Sequence, residues 1–162
     1  MTEISEITGK RVLKTAIVVD GNLNEAAELV KKGLIDAIQF HGDQTNDECM
    51  SFGVNWYKAL RLKDENDFEK KYYCPFVLFD AFSKTAYGGT GKLIDKNLLD
   101  SIKSKDIPLF LAGGINPENV YDIIKTYDPL LIDVSSGVEI SPGIKDKQKI
   151  KKLFEEIKRS QK

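Results

Sequence analysis

The chain is poor in the residues that mark metal centres, disulfide scaffolds and membrane spans. Its 162 residues hold two cysteines and one histidine. Cys49 and Cys74 have neither metal-ligand spacing nor a secretory context, which favours free thiols over a disulfide or a zinc site, and no metal is expected. No sign of charge dominates: 24 basic and 25 acidic side chains leave a net charge of −1, so there is no bulk electrostatic case for nucleic acid or an anionic membrane. Apolar runs are short, and no basic segment leads into a hydrophobic one at the start, so neither a spanning segment nor a signal peptide is expected and the expected location is cytoplasmic. The dinucleotide fingerprint is missing too, since residues 20–24 read DGNLN where a Rossmann unit needs G-x-G-x-x-G. No low-complexity linker interrupts the chain, whose length suits one domain with a real core.

What is present is an alternation of strand and helix signals. Residues 14–20 (KTAIVVD) form an apolar strand. Gly21 and Asn22 then cap a helix with Leu23, Ala26, Ala27 and Val30 at helical spacing, and Gly33 stands where it should stop. A second strand over 37–40 ends at His41-Gly42, and Thr45-Asn46-Asp47-Glu48 has the T-x-x-E form of a capping box. A third strand is expected over 56–60, a short charged helix over 64–71, a fourth strand over 76–79, and a helix capped by Asp95 with Leu98, Leu99 and Ile102 on one face. Residues 108–112 lead into Gly113-Gly114, after which Asn116-Pro117-Glu118 pairs a capping asparagine with proline at the first helical position. Residues 130–134 lead into Ser135-Ser136-Gly137, and a last helix from about Asp146 places Ile150, Leu153, Phe154 and Ile157 on its inner stripe.

Successive βα units leave an open doubly wound sheet or part of a (β/α)8 barrel. Asp20, His41, Asp80, Gly113-Gly114 and Ser135-Ser136-Gly137 stand at or just after strand ends. That distribution suits a barrel rim, where the site is assembled from many strand ends, better than a single crevice. The expected fold is α/β, a partial (β/α)8 TIM-type barrel of about six βα units, as a single incomplete-barrel domain over 1–162. Residues 1–13 would be an N-terminal remnant and 14–160 the βα units. The densest chemistry is at residues 77–92 (VLFDAFSKTAYGGTGK), where an acid at the end of an apolar strand meets a glycine-rich loop. From this segment alone Asp80 is either a catalytic acid or a loop cap.

Four blocks carry a resemblance: Ile38-Gln39-Phe40-His41-Gly42-Asp43; Leu78-Phe79-Asp80 with Tyr87-Gly88-Gly89-Thr90-Gly91-Lys92; residues 112–120 (AGGINPENV); and residues 132–139 (IDVSSGVE) with Pro142-Gly143. In order and spacing the chain resembles the phosphoribosylanthranilate isomerase family of tryptophan biosynthesis, from about residue 14 to the final helix. The resemblance implies an Amadori rearrangement of N-(5-phosphoribosyl)anthranilate to the aminoketose, an aldose–ketose isomerisation of the intramolecular oxidoreductase type that needs no cofactor. Asp80 would be the general acid that protonates the furanose oxygen, and a general base would remove the C2′ proton. The donor has to hold its proton at neutral pH, which burial or the substrate phosphate would favour.

The same resemblance implies that residues 14–20 correspond to strand three, so that the chain covers units three to eight. The family's base, a cysteine ending its first strand, and an arginine in its second βα loop then have no counterpart here. Cys49, within a helix, and Cys74, before a strand, read as structural thiols. The phosphate is expected between Gly113-Gly114 and Ser136-Gly137, with Ser136 as a hydroxyl donor, because glycines let consecutive N–H groups form an anion nest. Gly89 and Gly91 would contact substrate as well. Asp133 would bind a sugar hydroxyl or satisfy the core, and His41 would bind substrate or the backbone at its strand end. Lys58 and Lys92 would support the acid or a substrate carboxylate, or be solvated.

A barrel short of two strands presents two unpaired edges and an open interior. The expected partners are therefore the phosphoribosyl small-molecule substrate and either further copies in a homo-oligomer or a complementing N-terminal fragment; residues 2–9 are too few to close the gap. Two functions follow: an isomerase whose base comes from another chain, or a non-catalytic phosphate-ligand binding or assembly protein derived from the barrel. Retention of Asp80 with the 87–92 loop favours the first.

Overall fold

A computed structural model describes residues 6–7, 12–21, 23–81 and 93–162. The chain divides into two compact units, residues 1–59 with 71–77 and residues 60–70 with 78–162.

The first unit contains β1 (Thr15–Val18), α1 (Leu23–Lys31), β2 (Ala37–Phe40), α2 (Asn46–Met50) and the start of β3 (Trp56–Leu62). β1 and β2 run parallel from Thr15↔Ala37 to Val18↔Phe40, and β2 and β3 from Ile38↔Trp56 to Phe40↔Lys58. Small residues at Ala26 and Ala27 bring α1 close to the strands, where they pack with Val18, Ile38, Phe40, Cys49 and Trp56. Phe40 meets Trp56 edge-on, with ring centroids 5.8 Å apart. The capping box at Thr45 forms as read: Thr45 Oγ1 accepts from the Glu48 amide at 3.3 Å, and the Glu48 carboxylate accepts from the Thr45 amide at 2.7 Å.

In the second unit the end of β3 is followed by β4 (Val77–Ala81), of which residues from Leu78 belong here, then α3 (Lys96–Ser104), β5 (Phe110–Leu111), α4 (Val120–Tyr127) and β6 (Leu131–Ile132). These strands are parallel, with Leu78↔Phe110 and Phe79↔Leu111 across β4 and β5, and Leu111↔Ile132 across β5 and β6. The charged stretch after β3 is a 3₁₀ turn, Glu65–Glu69, not an α-helix. Asp67 reaches back to the amides of Lys63 (2.8 Å) and Asp64 (3.3 Å), which closes the segment into one tight turn. Asp95 and Asp146 cap α3 and the last helix, α5 (Lys147–Ser160), as their positions foretold.

Two features depart from the pattern. An antiparallel hairpin, β7 (Glu139–Ser141) with β8 (Ile144–Lys145), precedes α5; its strands are too short for a period of two to register. On α5, Leu153 is buried but Phe154 is 56 % exposed. The buried face runs through Leu153 and Ser160, flanked by half-buried Ile150 and Ile157, and Phe154 lies about 100° round the helix from Leu153. Among the described residues no helix is long and apolar enough to cross a membrane.

Candidate active site

Asp80 is the penultimate residue of β4 and 3 % exposed. The sequence placed the strand's end at residue 79, but the β4–β5 ladder continues through the Ala112 amide to the Phe79 carbonyl at 2.7 Å. Asp80 therefore lies inside the strand. Its Oδ1 accepts from the Ala81 amide at 2.7 Å, so one carboxylate oxygen is turned back onto the strand end.

The register that pairs Phe79 with Leu111 carries Ala81 to the level of Gly113. A Cβ on Gly113 would stand 2.5 Å from Asp80 Oδ1 and 2.9 Å from the Ala81 amide nitrogen, and the residue has φ +83°. Both the backbone conformation and the space demand glycine. The acid and the first glycine of the loop after β5 are thus in contact.

Gly114 follows with φ +63°. Its carbonyl accepts from Asn119 Nδ2 at 2.9 Å and from Asn116 Nδ2 at 3.4 Å. Asn116 Oδ1 accepts from the amides of Glu118 (2.9 Å) and Asn119 (3.1 Å), and Asn119 Oδ1 accepts from the Asn116 amide at 2.9 Å. Asn116 thus makes the capping bonds expected of it, although α4 proper starts at Val120 and Asn119 takes the N-cap position. The loop after β6 is a single 3₁₀ turn, Ser136–Val138. A Cβ on Gly137 would run into the Ile115 carbonyl, so the loops after β5 and β6 lie against each other with glycine at the contact. Asp133 is half-buried, and its amide continues the β6 ladder to the Leu111 carbonyl at 2.8 Å. Gly89, Gly91 and Lys92 lie outside the described residues.

The hairpin braces this second loop. Lys145 Nζ donates to the Ser135 carbonyl at 2.9 Å and to Glu139 Oε1 at 2.7 Å. Lys145, with the Gly143 amide, holds the Glu139 carboxyl below its ordinary value of 4.5. A carboxyl whose folded value is depressed stabilises above the unfolded value, and loses that contribution as pH falls through the folded one. The hairpin should therefore keep its protection at pH 6 and loosen below about pH 4.5. Amide hydrogen exchange across β7 and β8 measures this, and Lys145→Met should weaken the pH dependence, leaving the part due to the Gly143 amide.

The strand ends of the first unit carry their own polar cluster. His41 is buried, and its amide donates to the Val18 carbonyl at 2.8 Å. Tyr57 Oη donates to Gln39 Oε1 at 2.9 Å, and Gln39 Nε2 lies 3.3 Å from His41 Nδ1. Lys58, read as solvated or substrate-facing, is 1 % exposed and staples the loop after β2. Its ammonium donates to the Gly42 carbonyl (2.5 Å) and the Gln44 carbonyl (3.2 Å) and lies 5.4 Å over the Tyr72 ring. Gln39, Gln44 and Tyr57 escaped sequence reasoning; the one signal was a glutamine inside the apolar run AIQF.

Neither thiol suits proton abstraction. Burial pushes Cys49 up to about 11 and raises Cys74 as well, whose Sγ is 3.1 Å from the Phe76 carbonyl. A base of this kind needs thiolate near neutral pH. Iodoacetamide at pH 8 should leave Cys49 unmodified in the native protein and label it only after denaturation, as read by mass spectrometry.

The family model described as N-(5'phosphoribosyl)anthranilate (PRA) isomerase matches residues 2–156. The chain is 37 % identical over 150 residues to N-(5'-phosphoribosyl)anthranilate isomerase of Caldanaerobacter subterraneus subsp. tengcongensis, covering 91 % of this chain and 73 % of the relative. The crystal structure of phosphoribosyl anthranilate isomerase from Thermotoga maritima is similar with a TM-score of 0.80 at 27 % identity, over 97 % of this chain and 78 % of that one. A further solved structure is phosphoribosyl anthranilate isomerase in complex with reduced 1-(o-carboxyphenylamino)-1-deoxyribulose 5-phosphate, with a TM-score of 0.76 at 27 % identity, over 97 % of this chain and 77 % of that one.

Proposed function

Because this chain belongs to the N-(5'-phosphoribosyl)anthranilate isomerase family, we propose that it carries the acid and the phosphate cradle of that isomerase in tryptophan biosynthesis, with Asp80 as general acid. The six βα units then correspond to units three to eight of the barrel. The general base comes from polypeptide outside these 162 residues, on the same or another chain.

The observation that carries the reading is the contact between Asp80 and Gly113. With the 5′-phosphate held by the loops after β5 and β6, the furanose oxygen lies only a few bonds from the anchored group, and the acid sits beside that anchor. Asp80 Oδ1 accepts from the Ala81 amide, and in this reading the carboxyl supplies the proton that is transferred. Its delivery to the ring oxygen opens the sugar to an iminium. The base then takes the C2′ proton, and the resulting enolamine tautomerises to the aminoketose. Phosphate binding, remote from the reacting bonds, positions the ring oxygen against the acid.

The test is a comparison of ligands. The chain should bind ribose 5-phosphate and reduced 1-(o-carboxyphenylamino)-1-deoxyribulose 5-phosphate, and should lose most of its affinity for the latter when the phosphate is removed. Equal binding of the phosphorylated and dephosphorylated compounds, measured by calorimetry, would overturn the cradle.

A further inference from the structure

We propose that Asn119 is the positioning residue of the cradle, locking the Gly114–Ile115 peptide with its N–H turned to the anion; the inference rests on the phosphate reading above. The Gly114 carbonyl accepts from Asn119 Nδ2 at 2.9 Å and, more weakly, from Asn116 Nδ2 at 3.4 Å. A trans peptide is planar, so the carbonyl and the following N–H point in opposite directions. Drawing the Gly114 oxygen toward the start of α4 turns the Ile115 N–H away from it. The lock is needed because Gly113 and Gly114 both have positive φ, at +83° and +63°. Backbone flanked by glycine reorients at small cost, and a reversed peptide would present a carbonyl oxygen to an anion.

Asn119 is itself oriented. Its Oδ1 accepts from the Asn116 amide at 2.9 Å, which commits the other end of the side chain, the NH₂, to Gly114. A donor on the carbonyl also polarises the peptide and strengthens its N–H toward a negative ligand. Asn119 does not touch the phosphate in this account. Aspartate in its place keeps the shape and the bond to the Asn116 amide, but sets an anionic oxygen against a carbonyl. Alanine removes the lock without adding charge.

The experiment titrates the ¹⁵N-labelled full chain with inorganic phosphate and with ribose 5-phosphate. In the wild type the Ile115 amide resonance should move with phosphate, and the exchange of the Asn119 side-chain amide should slow. In Asn119→Asp, affinity should fall about ten- to a hundred-fold, the range of a lost charge-assisted hydrogen bond, with the Ile115 amide no longer responding and the resonances of β4 unchanged. Asn119→Ala should lose less affinity but show the same silent Ile115 amide, and it decides if the aspartate variant does not fold. Wild-type binding with full affinity in both variants would overturn the positioning role and leave the cradle standing. Wild-type protein that binds no phosphate would overturn both. Asn119 side-chain amide protons that exchange as fast as those of a free asparagine in phosphate-saturated wild-type protein would overturn the lock without recourse to any variant.

Discussion

Asp80→Asn should abolish isomerase turnover in the complete assembly, by about a thousand-fold within the range of general-acid effects, while the fold is unchanged. Asparagine has the shape of the acid and an Oδ1 that still accepts from the Ala81 amide, the bond that Asp80 makes at 2.7 Å. What it cannot do is give a proton to the ring oxygen. Binding of ribose 5-phosphate should survive, because the proposed cradle lies in the loops after β5 and β6 and makes no use of the Asp80 carboxyl. Turnover and thermal unfolding measured on the same preparation separate the roles: a folded, active variant would remove Asp80 from the chemistry.

Gly113→Ala should damage stability and activity together. A Cβ there meets the Ala81 amide nitrogen at 2.9 Å and Asp80 Oδ1 at 2.5 Å. The carboxylate is the end of a side chain and can move aside; the Ala81 backbone cannot without breaking the β4 ladder. Left-handed backbone at φ +83° adds its own strain. Roughly 1–2 kcal/mol for the conformation and about 1–3 kcal/mol for the overpacking place the loss on the order of 2–5 kcal/mol, measured by denaturant unfolding. Since relief comes by displacing Asp80, turnover should fall even at temperatures where the variant remains folded. A stable variant with normal turnover would contradict the contact between acid and cradle.

The sequence carried local chemistry well and long-range contact poorly, and the boundary is physical. Thr45, Asp95 and Asp146 each bond to amides two or three residues on, so their capping roles are written in adjacent residues. β2 matches residues 37–40 because its ends are polar and its partners are continuous on both sides. Residues 108–112 and 130–134 read as full strands, yet the regular strands are Phe110–Leu111 and Leu131–Ile132, with single ladder bonds at Leu130, Ala112 and Asp133 at their ends. An apolar run announces extended backbone, whereas the length of a ladder is decided by a neighbour far away in sequence. Lys58 shows the same limit: nothing near it signals that its ammonium is spent on the carbonyls of Gly42 and Gln44. Gly113-Gly114 and Ser136-Gly137 were legible as flexible turns, but the reason glycine is required at 113 and 137 is the presence of Asp80 and Ile115 beside them. Asn119 was one letter in the family block; its hold on Gly114 appears only when the turn closes.

The most direct measurement is turnover of N-(5′-phosphoribosyl)anthranilate by this chain, alone and mixed with a polypeptide that supplies the first two βα units of the family barrel with their cysteine and arginine. An acid and a cradle without a base predict no turnover from these 162 residues alone and turnover in the mixture that disappears with Asp80→Asn. No turnover in the mixture, with ribose 5-phosphate still bound, would contradict the isomerase reading and leave a binding protein built on the same cradle.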